Sequence, residues 1–190
     1  MKEDSPERIE EARLIEEARR GDTNAFGQLY ELLAPSIFRF FYSRMEDRLD
    51  AEDLTEEVFL RAWRYLPRYR EQGAPFNAFL FRIAHNILTD HYRRAKREGY
   101  PSRLDHEEFV AVQTDPSEMM ANNLRAKEIR KALEKLQENY RTVLSLRFLS
   151  DLSVNETAQI IQKSPEAIRV MQHRALAALQ KLLIADQVHQ

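Results

Sequence analysis

Apolar residues recur at helical spacing along almost the whole chain, and no stretch of useful length alternates as a half-buried strand would. The sequence therefore predicts an all-α fold. Four glycines in 190 residues, with abundant Ala, Leu, Glu and Arg, favour the same class. The predicted helices cover residues 7–20, 24–44, 51–66, 76–97, 122–136, 138–148, 154–162 and 165–184.

One stretch near the middle of the chain lacks this periodicity. Residues 99–121 contain neither an apolar stripe nor a dense apolar run, and Pro101 and Pro116 would break a helix there. A stretch of about 20 residues is too long for a simple turn. The sequence thus predicts two small helical domains, residues 1–98 and 122–190, joined by a flexible linker.

Several classes of protein and site are disfavoured by composition. The chain has no cysteine, which excludes a disulfide framework and thiolate metal sites. No apolar run approaches the roughly 20 residues that span a bilayer, and the first residues do not resemble a signal peptide. The histidines show no metal-ligand spacing, and no phosphate loop or nucleophile motif is present. We expect a soluble, cytoplasmic protein that is not an enzyme, uses no cofactor and binds no metal.

Charge is distributed unevenly along the first predicted domain. The formal net charge of the chain is only −2, which argues against indiscriminate nucleic-acid binding through bulk positive charge. Residues 46–60, however, hold seven acids and one arginine, whereas residues 76–98 hold five Lys or Arg and two acids. Two neighbouring helices of opposite charge indicate two different partners.

The helix predicted over residues 51–66 has an apolar face and an acidic face. The face expected to be buried consists of Leu54, Val58, Phe59, Ala62, Tyr65 and Leu66. The opposite face consists of Asp53, Glu56, Glu57, Leu60 and Arg64, with Trp63 at its margin. This second face is either simply solvated or a docking surface. Leu60 and Trp63 favour docking, because apolar anchors ringed by charge are typical of binding hot spots.

The helix predicted over residues 76–97 also has two faces. The expected buried stripe is Phe76, Phe79, Leu80, Ile83, Ile87 and His91. The other stripe is Arg82, Asn86, Thr89, Arg93 and Lys96, which can place cations along a phosphate backbone. The preceding loop brings together residues able to hold an unstacked base, namely Tyr69, Arg70, Gln72, Gly73 and Phe76. The alternative is an ordinary surface helix that follows a Gly-Pro turn.

Residues 152–179 have the proportions of a helix-turn-helix. The first helix would turn Ala158 and Ile161 inward, and the second would begin at Pro165 with Ser164 as its cap. On the second helix we expect a buried face of Ile168, Met171, Gln172, Ala175, Leu179 and Leu182. The outward face would be Glu166, Arg169, Val170, His173 and Ala177. A helix pair of this length also occurs in plain bundles.

Four stretches together resemble one family, the sigma-70-type initiation factors of bacterial RNA polymerase. They are GDTNAFGQLYELLAPSIFRF, DAEDLTEEVFLRAWRYLPRY, FNAFLFRIAHNILTDHYRR and LEKLQENYRTVLSLRFLSDLSVNETAQIIQKSPEAIRVMQHRALAAL. Their order and spacing resemble the small extracytoplasmic function (ECF) subfamily. The resemblance implies a region 2 helical bundle over residues 1–98, a linker over 99–121 and a region 4 helix-turn-helix over 122–190. It also implies a transcription initiation factor that binds core polymerase, directs it to specific promoters and helps melt the minus-ten DNA.

The resemblance assigns roles to residues at three surfaces. For contact with the beta-prime clamp of the polymerase it implies Asp53, Glu56, Glu57, Leu60 and Trp63. For the minus-ten element it implies Arg70, Gly73, Phe76, Arg82, Asn86, Asp90, Arg93, Arg94 and Arg97. For the minus-thirty-five element it implies Glu166, Arg169, Val170, His173 and Arg174. The implied partners are core RNA polymerase through its beta-prime and beta subunits, promoter DNA, and an anti-sigma factor that would cover the polymerase-binding faces.

The chain departs from the family pattern at several positions. Phe79 stands where many members have tryptophan, and His85 replaces the usual arginine. Asp151 stands where a glycine commonly precedes the first helix of the helix-turn-helix, and the pair before its turn is Gln-Lys instead of Leu-Gly. Val170 replaces a residue that is often small and polar, so promoter preference cannot be transferred from relatives.

The sequence leaves two alternatives for the role of the linker. The resemblance places the linker in a basic channel of the polymerase, where five of its acids would imitate RNA phosphates. The alternative is that the linker is only a flexible tether.

The alternative function is a helix-turn-helix regulator that binds duplex DNA without being a polymerase subunit, but it leaves the surfaces on residues 53–64 and 82–96 unexplained. A helical adaptor without DNA contact is the remaining alternative.

Overall fold

The computed structural model describes residues 6–45, 47–70, 75–97, 128–129 and 131–188. Helices and turns make up this part of the chain, with no strand in it, which confirms the all-α prediction. The elements are α1 (Pro6–Arg19), α2 (Thr23–Tyr42), α3 (Arg48–Tyr65), a 3-10 turn (Leu66–Arg68), α4 (Phe76–Arg97), α5 (Glu138–Leu144), a π-helical segment (Ser145–Leu149), α6 (Val154–Ile161) and α7 (Pro165–Val188). Two compact units result, residues 1–41 with 48–101 and residues 42–47 with 102–190. The predicted linker and its acids lie outside the described residues.

The core of the first unit is built by α2, α3 and α4. Phe40 on α2 meets Phe81 on α4 with ring centroids 5.6 Å apart in an edge-to-face contact, and both side chains are fully buried. Because α4 packs on both α2 and α3, it buries a wider arc than the predicted stripe. Phe79, Ile83 and His91, expected to be buried, are only half-buried. The residues buried without being predicted are Ala78, Phe81, Ala84 and Leu88.

Helix α3 ends differently from the prediction. The α-helix stops at Tyr65, and Pro67 lies in the 3-10 turn that follows. The tighter winding buries Leu66 completely and leaves Tyr65 56% exposed, so the prediction that Tyr65 is buried was wrong. The buried face instead includes Thr55, whose hydroxyl donates to the Ala51 carbonyl at 2.7 Å.

Helix α1 joins the first unit through its apolar face. Leu14 and Ala18 are buried, while Arg13 on the outer face bridges Glu10 and Glu17 at 2.5 and 2.6 Å. Gly21 then takes a φ of 97°, a conformation that L side chains rarely adopt, and this allows the chain to turn tightly into α2.

The second unit contains a π-helical segment that the sequence did not predict. The predicted helix over residues 138–148 is interrupted, because α5 ends at Leu144 and residues 145–149 are wound more loosely. The Ser150 N–H donates to the Ser145 carbonyl at 3.1 Å, and Asp151 follows with a φ of 50°. Of the helix predicted over residues 122–136, residues 128–129 and 131–136 are described; 128–129 and 131–134 are helical, whereas 135–136 already form a turn.

Helices α6 and α7 form the predicted helix-turn-helix. Ser153 and Glu156 form a reciprocal cap: the serine hydroxyl accepts from the Glu156 N–H at 3.2 Å, and the Glu156 carboxylate accepts from the Ser153 N–H at 2.6 Å. At the start of α7, Ser164 Oγ accepts from the Ala167 N–H at 3.2 Å. Val143, Ala158 and Ile168 are the buried core of this motif.

A glycine at residue 162 is expected to stabilise the second unit. Gln162 ends α6 with φ 58° and ψ 49°, a left-handed conformation that costs most residues about 1 to 2 kcal/mol. Gln162→Gly should raise the free energy of unfolding by about 0.5 to 1 kcal/mol, after the greater freedom of glycine in the unfolded chain is counted. Urea unfolding followed by circular dichroism measures the change.

Lys163→Gly is the matched control for this prediction. Lys163 is the next residue, it is also exposed, and its φ is not positive. Glycine there should destabilise the unit, since it adds unfolded-state freedom without relieving strain. Equal destabilisation by both variants would show that the left-handed conformation of Gln162 costs nothing.

Candidate functional site

The predicted acidic face of α3 lies at the surface of the first unit. Asp53 and Glu56 are exposed. Leu60, which lies one turn further toward the C-terminal end of the helix, is 59% exposed. Glu57 and Trp63 are half-buried at the edges of the same face. The structure therefore brings all five predicted polymerase-contact residues to one side of α3.

An apolar groove of about 430 Å³ borders this face and separates α3 from the first half of α2. Trp63 packs on Phe26 with ring centroids 4.8 Å apart, and Tyr30 meets Phe59 at 4.7 Å. The α2 wall was not predicted, although Phe26 and Tyr30 are four residues apart and therefore share a helix face. The lining residues are Thr23, Phe26, Tyr30, Glu56, Phe59, Leu60 and Trp63.

The acids of α3 differ in whether they are paired. Glu52 is 2.7 Å from Arg48, and Glu57 is 2.5 Å from Arg61, each within the same helix. Over the described ranges, Asp53 and Glu56 form no ion pair. On the predicted polymerase face, these two carboxylates can therefore meet a partner without breaking a contact within α3.

The basic face of α4 is also exposed. Arg82, Asn86, Arg93, Arg94 and Arg97 lie at the surface, while Thr89 and Asp90 are half-buried. The Thr89 hydroxyl donates to the His85 carbonyl at 2.8 Å, so its hydrogen is already used within the helix. The side chain of Lys96 lies outside the described residues.

The C-terminal part of α4 forms an open, strongly basic pocket of about 810 Å³. Its lining is Asp90, Arg93, Arg94 and Arg97. Arg93 Nη1 is 3.6 Å from Asp90 Oδ1, close enough for the carboxylate to orient the guanidinium. Three arginines on one helix face can bind successive phosphates, and the carboxylate offsets part of the repulsion among them.

Aromatic rings cluster where the loop after α3 enters α4. Tyr69 lies 5.4 Å from Phe76 and 5.0 Å from Phe79 between ring centroids, and Arg82 stands 5.9 Å from the Phe79 ring. Phe76 is only 1% exposed, so the accessible rings are the half-buried Tyr69 and Phe79. Arg70 is exposed, whereas Gly73 lies in residues 71–74, outside the described part. Base capture by Phe76 and Gly73 stays a prediction.

The outward face of α7 agrees with the sequence pattern. Ile168 and Ala175 are fully buried, and Gln172 on the same side accepts a hydrogen bond from Arg147 Nε at 2.9 Å. The predicted base-reading residues are all exposed on the other side, namely Glu166, Arg169, Val170, His173 and Arg174. The predicted outward face of this helix is thus confirmed. Of the predicted inward face, Ile168 and Ala175 are buried, and the other four residues are half-buried.

The first turn of α7 carries a carboxylate held in its ionised form. The pKa of Glu166 is lowered mainly by a hydrogen bond from its own backbone N–H and next by the Ser164 hydroxyl. Its Oε1 is also 3.5 Å from Arg169 Nη1. An ionised Glu166 can only accept hydrogen bonds, whereas Arg169 beside it can only donate.

Among the described residues, no group of three His, Asp or Glu side chains lies close enough to hold a metal ion. No helix in this part of the chain combines the length and apolar character that a membrane crossing needs.

Comparison with known proteins identifies relatives of both units. Residues 29–98 match the family described as Sigma-70 region 2, and residues 126–179 match that described as Sigma-70, region 4. The ECF RNA polymerase sigma factor SigD of Mycobacterium tuberculosis is 34% identical over 177 residues, which cover 90% of this chain and 83% of SigD. The ECF RNA polymerase sigma factor BldN of Streptomyces coelicolor is 34% identical over 173 residues, which cover 91% of this chain and 66% of BldN.

A solved structure with the same fold is that of the sigma factor RpoE in complex with the anti-sigma factor NepR from Bartonella quintana. Its TM-score is 0.67 at 28% identity, and the match covers 85% of this chain and 98% of that chain.

Proposed function

Since this chain belongs to the ECF sigma factors of the sigma-70 family, we propose that its three exposed surfaces divide the work of transcription initiation. The protein binds core RNA polymerase, directs it to specific promoters and helps melt the minus-ten DNA. It acts by binding and positioning, not as an enzyme, and it does so in the cytoplasm, where polymerase and chromosomal DNA meet. The names of the relatives support this function over a regulator that binds duplex DNA alone.

Helix α3 binds the beta-prime clamp of the polymerase. Leu60 supplies an apolar anchor, and the unpaired carboxylates of Asp53 and Glu56 supply charge for basic side chains of the clamp. Trp63 extends the apolar area into the groove beside Phe26. Glu57 contributes less, because its carboxylate is already paired with Arg61.

Helix α4 and the loop before it engage the melted minus-ten element. The exposed arginines of α4 bind the phosphates of the separated strand, and the Asn86 amide reaches a base edge between them. Tyr69 and Phe79 offer rings on which an unstacked base can lie. These contacts form only after bases leave the duplex, so their free energy favours the open complex.

Helix α7 enters the major groove at the minus-thirty-five element. The observation that carries this proposal is the row of exposed residues on the second helix of a helix-turn-helix, opposite the fully buried Ile168 and Ala175. Arg169 lies near the N-terminal end and faces base edges, whereas Arg174 lies toward the flank and faces phosphate. Glu166 can accept from a cytosine amino group, and Val170 can contact a thymine methyl.

An anti-sigma factor is a further proposed partner. RpoE, a structural neighbour, is bound to the anti-sigma factor NepR. A partner that covered Leu60, Asp53 and Glu56 would keep this chain from core polymerase, because the same side chains form the polymerase surface proposed above.

The test is promoter binding by the holoenzyme, formed from core polymerase and the full chain, on a library of upstream sequences at two salt concentrations. We expect wild type to select a defined element. Arg169→Ala should lose about 1 to 3 kcal/mol at that element and discriminate less among sequences. Arg174→Ala should weaken all sequences alike and lower the salt slope by about one unit.

The two variants control for each other, because each removes one exposed arginine from α7. A library profile that Arg169→Ala leaves unchanged would show that this face does not read bases. A holoenzyme that selects no promoter would overturn the proposed function itself.

A further inference from the structure

Glu166 and Arg169 form an ion pair at the start of α7, on the face proposed to meet the minus-thirty-five element. Glu166 Oε1 is 3.5 Å from Arg169 Nη1, and the two side chains are 76% and 61% exposed. Among the described residues, Arg169 makes no other hydrogen bond or ion pair. DNA can therefore reach both side chains, and the Glu166 carboxylate is the group that competes with DNA for this guanidinium.

The Glu166 carboxylate is held by groups at the beginning of the helix. Ser164 caps α7, since its Oγ accepts from the Ala167 N–H at 3.2 Å. The Glu166 N–H and the Ser164 hydroxyl donate to the Glu166 carboxylate and lower its pKa. A hydroxyl can accept and donate at the same time, so Ser164 can serve both partners. Glu166 thus stays ionised, next to a helix N-terminus that favours its negative charge.

The pairing leaves one edge of the Arg169 guanidinium open. Nη1 faces Glu166, whereas Nε and Nη2 form another edge with two parallel N–H donors. Guanine presents two acceptors, O6 and N7, that match such an edge, and it carries no charge. A DNA phosphate also matches the edge, but the carboxylate beside it repels its negative charge. The arrangement therefore favours guanine over phosphate as the partner of Arg169.

We propose that Glu166 is a positioning residue for promoter selection, whose carboxylate turns Arg169 toward a guanine and opposes its use on DNA phosphates. This proposal rests on the proposed function and adds a residue that acts on specificity through Arg169. Specificity is a difference between two affinities, so a group that weakens binding to wrong sequences also raises it. Because an exposed ion pair is weak, the effect is expected to be a few-fold change.

Glu166→Gln tests the proposal in the holoenzyme, because glutamine keeps the size of the side chain and removes its charge. Binding is measured over a series of salt concentrations on two duplex fragments, one with the upstream element that wild type selects and one with that element scrambled. The variant should bind the scrambled fragment about threefold to fivefold more tightly than wild type, because Arg169 is released to a phosphate. On that fragment its salt slope should steepen by about one unit. The preference for the selected element should fall by about threefold to fivefold.

The variants Arg169→Ala and Glu166→Gln/Arg169→Ala show whether Glu166 acts through Arg169. Their preferences should agree within about twofold and their salt slopes should be equal, because both lack the arginine that the carboxylate positions. Asp151→Asn is the control for charge. Asp151 is exposed in the same unit and has a φ of 50°, a conformation that asparagine tolerates. This substitution should change the affinity for the two fragments by the same factor.

Undiminished preference in Glu166→Gln, with a wild-type holoenzyme that selects its element, would overturn this inference alone. A loss of preference that persists in the absence of Arg169 would show that Glu166 contacts a base itself, and would also overturn it. The same conclusion would follow if Asp151→Asn lost as much preference as Glu166→Gln. A wild-type holoenzyme that selects no element would instead overturn the proposed function.

Discussion

The double variant Asp53→Lys/Glu56→Lys is expected to bind core RNA polymerase about 100-fold more weakly than wild type. Both carboxylates are exposed beside Leu60, and neither forms an ion pair in the part of the chain that the structure describes. Charge reversal therefore replaces attraction to a basic partner by repulsion, without removing a contact within α3. Affinity is measured by titration with core polymerase at two salt concentrations, because screening should reduce the difference at high salt.

Asp50→Lys/Glu52→Lys is the matched control for this prediction. It makes the same change in net charge on the same helix, but at two acids outside the five polymerase-contact residues, of which Glu52 is paired with Arg48. We expect a small loss of helix stability from this intrahelical pair and a much smaller loss of polymerase affinity. Equal losses in the two double variants would mean that polymerase responds to total charge and not to this surface.

Ile168→Ala is expected to destabilise the second unit by about 2 to 5 kcal/mol. Ile168 is fully buried and packs with Val143 and Ala158 at the centre of the helix-turn-helix. Small domains are stable by only about 5 to 15 kcal/mol, so a loss of this size removes a large part of the stability of a unit at the low end of that range. The unfolded unit cannot present α7 to DNA, and minus-thirty-five binding by the holoenzyme should fall as the unfolded fraction rises.

Hydrogen exchange measured along the full chain separates the two units in this experiment. We expect faster exchange over residues 131–188 in Ile168→Ala and little change over α2, α3 and α4. Val170→Ala is the control, since Val170 is 49% exposed on the same helix and its truncation should change stability by less than about 0.5 kcal/mol. Unchanged exchange in Ile168→Ala would contradict the assigned core.

Much of the fold was predictable, because a helix that buries one face shows it in the local spacing of its apolar residues. The limits of α4 match its prediction at both ends, and the predicted outward face of α7 is exposed, while its predicted inward face is buried or half-buried. A helix that packs on one side only, as α7 does through Ile168 and Ala175, shows its buried face directly in a repeat of 3.6 residues. The pairing of Glu57 with Arg61 was also open to prediction, since the two residues are four apart.

The sequence by itself determined the all-α class of the described residues, the first residues of α4, α5, α6 and α7, and the exposed faces on which we propose contacts with polymerase and DNA. Only the tertiary structure decided how wide an arc each helix buries, because that depends on how many neighbours it has. Helix α4 packs on two helices and buries Phe81 and Leu88 beyond its predicted stripe. For the same reason, only the structure reveals the groove between α2 and α3, whose walls are about 30 residues apart in the chain and become neighbours through packing. The π-helical winding after Leu144 likewise accompanies contacts beyond the helix, in which Arg147 reaches the nearby carbonyl of Leu152 and, 25 residues away, the side chain of Gln172.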